Sequence, residues 1–138
     1  FCSGALLSEY YILTAAHCVN YPEVRVFPLQ VVFGIENLVE QSGERRMISD
    51  VFLHPDWTTG TEANDIAIIR IDRPINFTNR NYAKICLPSI DQLVVGDYPS
   101  AETSLVAIGW AYTMYEDIES DFLQQIRLIV LDEQTNQQ

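Results

Sequence analysis

Short runs of branched and aromatic residues, separated by polar stretches that contain Gly, Pro, Asn or Asp, recur along the 138-residue chain. Runs of this length and composition are typical of β-strands. A single helical turn is expected at Ala15–Cys18 and a surface loop at Val19–Phe27. The pattern predicts strands at Phe1–Leu7, Tyr10–Thr14, Leu29–Gly34, Met47–Leu53, Ile66–Ile71, Thr103–Trp110 and Gln124–Leu131.

Composition narrows the class of protein. Hydrophobic residues make up 48% of the chain and charged residues 20%, which is typical of a globular sequence with one modest core. The formal net charge of -11 argues against binding to nucleic acid or to an anionic membrane surface, because both favour Lys and Arg. No apolar stretch approaches the roughly 20 residues that a membrane-spanning helix needs. We therefore expect neither nucleic acid nor a membrane span.

One histidine follows the second predicted strand, in the segment Thr14-Ala15-Ala16-His17-Cys18. Histidine can both accept and return a proton near neutral pH, so His17 is a candidate general base. Taken alone this is a weak signal, because a histidine beside an apolar strand is more often an ordinary structural residue.

A carboxylate that suits this histidine occurs at Asp65, which opens the apolar run Ile66–Ile71. A carboxylate at the mouth of a buried strand needs a hydrogen-bond donor, and an imidazole N–H is one. Such a carboxylate fixes the tautomer of the imidazole and stabilises the imidazolium that forms on proton uptake. The alternative is an Asp that caps the strand and accepts hydrogen bonds from backbone amides.

The order and spacing of these motifs resemble those of a known family. The resemblance is to a chymotrypsin-like (trypsin-like) serine protease, and it implies an all-β, trypsin-like double β-barrel. Residues 1–80 would form the first barrel without its initial strand, residues 81–103 the connection, and residues 104–138 the start of the second barrel. The segments that carry it are Phe1-Cys2-Ser3-Gly4-Ala5-Leu6-Leu7, Thr14–Cys18, Asp65-Ile66-Ala67-Ile68-Ile69, Ile85-Cys86-Leu87-Pro88, Ile108-Gly109-Trp110 and Leu123-Gln124-Gln125-Ile126.

The resemblance also implies a chemistry, in which His17 is the general base and Asp65 its orienting carboxylate in a serine endopeptidase. The sequence contains neither the family's Gly-Asp-Ser-Gly-Gly stretch with the nucleophilic serine nor the Ile-Val-Gly-Gly amino terminus released by zymogen cleavage. We therefore expect an internal piece of a secreted, zymogen-derived protease, inactive alone. The alternative is a catalytically inactive homologue acting as a secreted binding or regulatory module, although such a protein has no chemical reason to keep both residues.

The three cysteines bear on the compartment. By resemblance, Cys2 and Cys18 form the disulfide that ties the histidine's turn to the neighbouring strand; the alternatives are two buried thiols or a metal pair. Cys86 is left over, and in relatives with a Cys-Leu-Pro pattern this residue often bridges to a propeptide or light chain. We expect its partner in a segment absent here, with a free buried thiol as the alternative. The pattern favours an extracellular protein.

The loop at residues 34–48 has about the length of the family's calcium loop, with Asn37 and Glu44 near the ligand positions. Ile35 stands at one expected carboxylate and Gln41 or Ser42 at another, whereas calcium takes several oxygen ligands, preferably anionic. We therefore expect no calcium site, and no other metal or cofactor. The partners expected from the resemblance are peptide and protein substrates and protein protease inhibitors.

Three other positions follow from the resemblance or from a motif. His54, followed by Pro55, is the only other histidine, and in the family such a pair forms a structural corner. The loop Thr58–Ala63 would border the substrate cleft, where Glu62 influences which charges are accepted. Asn76-Phe77-Thr78 is an N-glycosylation acceptor pattern, which has meaning only in a secreted protein.

Overall fold

A computed structural model of the chain describes residues 2–20, 29–40, 42–91, 98–110 and 120–132. The predicted helical turn is a 3-10 turn at Ala16–Cys18. The all-β prediction is confirmed, and the surface loop predicted at Val19–Phe27 lies largely outside the described residues. The strands are β1 Ala5–Leu6, β2 Tyr11–Thr14, β3 Gln30–Phe33, β4 Glu44–Leu53, β5 Ala67–Ile71, β6 Ser104–Gly109 and β7 Gln124–Ile129.

Two strands differ from their predicted limits by three residues or more at one end, because pairing, rather than residue type, decides where a strand begins and ends. β1 is two residues long, since only two of its residues pair with β2. β4 begins three residues before the predicted start at Met47, because Glu44, Arg45 and Arg46 all pair with β3. Three charged residues in a row contain no apolar alternation, so the sequence pattern did not mark this part of the strand.

The first five strands form one antiparallel sheet in the order β1-β2-β5-β4-β3. β5 lies at its centre, between β2 and β4, and the β2–β5 register aligns Thr14 with Ala67 and Tyr11 with Arg70. In an antiparallel pair, residues that follow one strand emerge beside residues that precede the other. The residues just after Thr14 and just before Ala67 therefore meet at one end of the sheet.

One face of this sheet covers the hydrophobic core. Along β5, Ala67, Ile69 and Ile71 are buried while Ile68 and Arg70 are exposed. The strand is thus buried on one face only, with the alternation of a half-buried strand, although its apolar run predicted a fully buried one. The buried core residues are Ile12, Phe33, Ile69, Ile71 and Ile75, and the partly buried residues packed against them are Leu6, Val19, Val31, Ile48, Phe77 and Tyr82.

The chain divides into two compact units, one of residues 1–35 and 40–86 and one of residues 36–39 and 87–138. The first contains the five-stranded sheet, and the second contains the antiparallel pair β6–β7. Within the second unit, Trp110 Nε1 donates to the backbone oxygen of Glu36 at 3.2 Å. The predicted limits of the two barrels stay a prediction. Among the described residues, no helix has the length and apolar character needed to cross a membrane.

Candidate active site

The structure brings His17 and Asp65 together at one end of the five-stranded sheet. His17 lies in the 3-10 turn after Thr14, and Asp65 lies just before Ala67, the residue that pairs with Thr14. The backbone N–H of His17 donates to Asp65 Oδ1 at 2.8 Å, and Nδ1 of His17 lies 2.6 Å from Asp65 Oδ2. Both oxygens of one carboxylate therefore contact a residue 48 positions away in the sequence.

The backbone before Asp65 turns sharply. Asn64 has a positive φ of 59°, in the left-handed region where Asn is one of the few tolerated side chains. Its side-chain amide donates to the backbone oxygen of Asp56 at 3.2 Å, and its own carbonyl accepts the N–H of Ile66 at 2.7 Å. This turn leads the chain into β5 and leaves Asp65 outside the hydrogen-bond ladder, where its carboxylate is free to meet His17.

The contact determines the charge of Asp65 and the tautomer of His17. The hydrogen bond from the His17 backbone N–H, followed by that from the imidazole, lowers the pKa of Asp65 below its ordinary value. An ionised carboxylate only accepts hydrogen bonds, so Nδ1 carries the ring proton and Nε2 carries the lone pair. The side chain of His17 is 64% exposed and that of Asp65 27% exposed, so the ring is open to solvent. The geometry provides a proton acceptor at Nε2.

A disulfide holds the turn that carries His17. Cys2 and Cys18 are bonded, with their Cα atoms 6.0 Å apart, so the residue directly after His17 is tied to the segment that precedes β1. Nε2 of His17 lies 3.4 Å from Cys18 Sγ. The bridge implied by the resemblance is therefore present, and it adjoins the imidazole itself.

The same three residues form a group close enough to hold a metal ion, since the ligand atoms of Cys2, His17 and Cys18 lie within 4.8 Å of one another. A cysteine binds a metal as a thiolate, however, and both sulfur atoms are engaged in the disulfide. The donor set of the oxidised protein therefore does not fit a metal, and the alternative of a metal pair does not hold.

A pocket of about 290 Å³ opens beside the His17–Asp65 pair. Asn20 Nδ2 donates to Thr59 Oγ1 at 3.3 Å and so joins the segment after His17 to the predicted cleft loop. Glu62 forms part of the wall. The lining residues are His17, Asn20, Trp57, Thr59, Gly60, Thr61, Glu62 and Asp65.

Comparison with known proteins shows to which family the chain belongs. The profile of the family described as Trypsin matches residues 1–138. The chain belongs to the trypsin family. It is also 31% identical over 139 residues to "Serine protease snk" of Drosophila melanogaster, in an alignment that covers 99% of this chain and 30% of that protein. The chain thus spans less than a third of the length of this relative.

Membership of the trypsin family accounts for the fold and for the general function. The five-stranded antiparallel sheet is consistent with the trypsin-like β-barrel. Trypsin-family proteins are serine proteases, a class of proteolytic enzymes that act on proteins.

The second histidine of this trypsin-family chain is engaged in a turn. Nδ1 of His54 accepts the backbone N–H of Asp56 at 3.2 Å, and its carbonyl accepts the N–H of Trp57 at 3.0 Å. Among the described residues, no carboxylate forms an ion pair with the His54 ring. The geometry is that of a structural corner, and it gives His54 none of the contacts that orient His17.

Glu44 and Asn37, the two residues expected near the family's calcium-ligand positions, form hydrogen bonds with other groups of the protein. Glu44 Oε2 accepts the hydroxyl of Tyr82 at 2.9 Å, and Oε1 contacts the guanidinium of Arg46. The hydrogen bonds from Tyr82 and Arg46 lower the pKa of Glu44. Asn37 Oδ1 accepts the backbone N–H of Val39 at 2.9 Å. Of the other positions considered there, Gln41 lies outside the described residues, whereas Ile35 and Ser42 are described.

Two positions with predicted modifications are accessible. Asn76 is exposed, and its Oδ1 accepts both the backbone N–H of Thr78 at 3.0 Å and its hydroxyl at 2.8 Å. Cys86 is exposed and forms no disulfide with any residue that the structure describes. The alternative of a buried thiol at Cys86 therefore does not hold.

Sequence reasoning missed one contact at the site and one contact between residues that do not line the pocket. Asn20 was not singled out, although it follows His17 by one turn and its N–H bonds to Ala16 at 3.0 Å, so the spacing was a usable signal. The pairing of Tyr82 with Glu44 spans 38 residues and had no local signal.

Proposed function

We propose that the protein carrying this chain is a serine endopeptidase in which His17 is the general base and Asp65 orients it. The observation that supports this most is the two-point contact between His17 and Asp65, which leaves the lone pair on Nε2. Nε2 takes the proton of the attacking serine hydroxyl, and the imidazolium is stabilised by the ionised carboxylate. The same proton then passes to the leaving amine, so His17 serves as acid after it has served as base.

The location of the nucleophilic serine is also a proposal, because the 138 residues contain no Gly-Asp-Ser-Gly-Gly stretch. We place the serine, the oxyanion donors and the pocket for the residue at the cleaved bond outside this sequence. The alignment with 30% of the Drosophila protein is in keeping with that placement. The 138-residue chain alone then hydrolyses no peptide and takes no label from a serine-directed phosphonate.

The test uses the full-length protein that contains this chain. Activated protein is assayed with peptide substrates and with a fluorescent phosphonate, beside the variants His17→Ala and His54→Ala. The wild type and His54→Ala are expected to turn over peptide and to take the label. His17→Ala is expected to lose activity by at least about a thousandfold, because the serine then has no base.

The rival is a catalytically inactive homologue that serves as a secreted binding or regulatory module. It would be supported if a correctly folded, activated wild-type protein neither cleaves peptides nor takes the phosphonate. Equal activity in His17→Ala and wild type would overturn the assigned role of His17 while leaving the family unchanged.

We further propose that the protein is secreted as a zymogen, acts on protein substrates and is held by protein protease inhibitors. The Cys2–Cys18 disulfide supports an oxidising compartment, and the exposed thiol of Cys86 suits a bridge to a segment outside this sequence. Activation cleavage should then yield two polypeptides that separate on reducing gels only. The variant Cys86→Ser should separate them without reduction.

We also propose that Asn76 carries an N-linked glycan, since its side chain is exposed and bonded to Thr78 two residues on. Digestion of secreted protein with a peptide N-glycosidase should increase its mobility. Asn76→Gln and Thr78→Ala should remove this shift if no other acceptor is used, whereas the matched variant Thr78→Ser should keep it. A glycosylated Asn76→Gln variant with the full wild-type shift would contradict the assignment.

A further inference from the structure

Two cysteines and one histidine, all of them metal-ligating residue types, meet at the disulfide beside the imidazole. The ligand atoms of Cys2, His17 and Cys18 lie within 4.8 Å of one another. In the disulfide form both sulfur atoms are engaged, so neither is available as a thiolate. We propose that reduction of this bridge by a dithiol creates a site for one zinc ion, bound by the two thiolates and by Nε2 of His17. The zinc site does not depend on the proposed endopeptidase function, although its effect on catalysis does.

The imidazole is already oriented as a metal ligand. Nδ1 of His17 lies 2.6 Å from Oδ2 of Asp65, and with the ring proton on Nδ1 the lone pair is on Nε2. A histidine that binds a metal almost always donates its other ring N–H to a carboxylate or carbonyl, which fixes the tautomer and the direction of the ring. Two thiolates and an imidazole are ligands that suit zinc. Asp65 therefore supplies the outer contact that such a site requires.

Two of the three ligand atoms already have nearly the spacing of a zinc site. Nε2 of His17 lies 3.4 Å from Sγ of Cys18. In tetrahedral coordination, with zinc about 2.3 Å from sulfur and about 2.0 Å from nitrogen, these two atoms are about 3.5 Å apart. Both residues belong to the same 3-10 turn, in which the N–H of Cys18 donates to the backbone oxygen of Ala15 at 3.2 Å. Little movement of this turn is needed to bind the ion.

Cys2 supplies the third ligand and has to stay near the turn once the bridge is open. It is exposed and precedes β1, so its side chain can move to the ion without breaking a strand. The hydroxyl of Thr14 donates to the backbone oxygen of Ser3 at 2.9 Å, and Ala5 pairs with Leu13. These contacts hold the segment of Cys2 against β2 independently of the disulfide. The thiolate of Cys2 therefore remains within reach of zinc after reduction.

Reduction and metal binding change the chemistry of the imidazole. The dithiol gives two electrons and two protons to the bridge and closes into its own cyclic disulfide, and zinc then displaces the protons of the Cys2 and Cys18 thiols. The bond from zinc to Nε2 of His17 uses the lone pair that, in the proposed mechanism, accepts the proton of the serine. Reduced, zinc-loaded protein therefore has no general base, and removal of the zinc by a chelator restores it.

The test uses the full-length protein, either oxidised or reduced with a dithiol that is then removed under anaerobic conditions. Cobalt(II) stands in for zinc, because its bond to a thiolate gives a charge-transfer absorption band in the near ultraviolet. Reduced wild type is expected to develop this band and to lose it when zinc displaces cobalt, whereas oxidised wild type develops none from this site. Cys2→Ser, Cys18→Ser should lack this contribution, and Cys86→Ser, which removes a cysteine outside the group, should keep it.

Two further variants test the imidazole and its carboxylate. Asp65→Asn is expected to weaken cobalt binding by about 10–100-fold, the usual effect of losing the partner of a metal-bound histidine, and His17→Ala by at least as much. Asp50→Asn, which alters an exposed carboxylate paired with Arg70, is the matched control and should bind cobalt like wild type.

Each outcome decides whether the zinc site exists. Equal cobalt affinity in reduced wild type and reduced His17→Ala would overturn it, because the thiolates would then bind without the imidazole. Near-ultraviolet circular dichroism shows whether the reduced protein stays folded; an unfolded chain would also bind equally with and without His17, and so would overturn the site. If the oxidised protein cleaves no peptide, the proposed function fails, and the cobalt titration still decides the zinc site. If it does cleave, zinc should inhibit through this site only after reduction.

Discussion

Nδ1 of His17 lies 2.6 Å from Oδ2 of Asp65, and the backbone N–H of His17 donates to the other oxygen of the same carboxylate at 2.8 Å. One acidic side chain thus holds both the ring and the peptide group of the histidine. The ring proton is confined to Nδ1, and the peptide contact fixes the turn from which the ring projects. The effect of replacing Asp65 should therefore exceed that of losing a single hydrogen bond.

The first prediction concerns Asp65→Asn in the full-length enzyme. An amide can donate to Nδ1, which leaves the ring proton on Nε2 and removes the proton acceptor, so kcat should fall about 10⁴-fold with little change in KM. Steady-state kinetics measure both constants. Asp50→Asn is the control, because Asp50 pairs with Arg70 on the exposed sheet surface. A loss of less than tenfold would mean that Asp65 does not control the tautomer of His17.

The second prediction is the response of stability to acid. The pKa of Asp65 is lowered in the folded protein by its hydrogen bonds with His17, so folding favours the ionised form. The stabilising contribution is present above about pH 4, the ordinary pKa of Asp, and is lost as the pH falls through the lowered folded value. Urea unfolding across this range should show a steeper acid loss for wild type than for Asp65→Asn. Parallel curves would contradict the contact.

The third prediction concerns the disulfide next to His17. Cys2 and Cys18 are 16 residues apart, and a loop of that size stabilises a protein by about 3 kcal/mol in the chain-entropy model. The double variant Cys2→Ser, Cys18→Ser should lower the free energy of unfolding by about this amount, measured with urea. Its kcat should also fall, because the turn that holds the base loses its covalent tie. Unchanged stability and unchanged kcat together would show that the bridge constrains neither the folded protein nor the position of the base.

The strands were predictable from sequence because each shows its own local pattern, but their register was not. β2 and β5 both appear as apolar runs, yet nothing within either run indicates that Thr14 pairs with Ala67. That pairing is what brings His17 and Asp65 together, so their contact was inferred from the resemblance and not from periodicity. Chain segments more than 50 residues apart meet only through tertiary packing, which a local pattern does not record.

The pocket shows the same limit for the prediction of functional residues from the sequence. Residues 58–63 were assigned to the cleft by resemblance, and the structure does place part of this loop beside His17. Trp57 also lines the pocket, and nothing in the local sequence indicates which surface its side chain covers. Charged and polar residues give the composition of a loop but not the direction of each side chain, so the residues that line the pocket had to be identified from coordinates.

The fourth prediction tests the close approach of β1 to β2 at Gly4. A Cβ atom there would lie 2.9 Å from Ile12 Cγ2 and 2.9 Å from the backbone oxygen of Leu13, distances that the backbone of β2 has to move to relieve. Gly4→Ala should therefore destabilise the protein by about 1–3 kcal/mol, the usual cost of overpacking. Gly109→Ala is the control, since a Cβ there meets no described atom within 4 Å. Equal unfolding midpoints for the two variants would contradict this packing.

The last prediction concerns Tyr82, whose hydroxyl donates to Glu44 Oε2 at 2.9 Å. Tyr82→Phe removes this hydrogen bond but leaves Glu44 its contact with Arg46, so the free energy of unfolding at neutral pH should fall by about 1 kcal/mol. Burial, followed by the hydrogen bond to Glu44, raises the pKa of Tyr82 in the folded protein. Because the folded value lies above the unfolded value of about 10, the contribution is complete below pH 10 and is lost as the pH rises through the folded value. The difference in stability between wild type and Tyr82→Phe should thus be constant up to about pH 10 and then shrink.

Tyr11→Phe, which alters an exposed tyrosine on β2, is the control, and its free energy of unfolding should run parallel to that of wild type over the same pH range. A wild-type advantage over Tyr82→Phe that persists unchanged at alkaline pH would mean that the phenol proton is not what stabilises this contact.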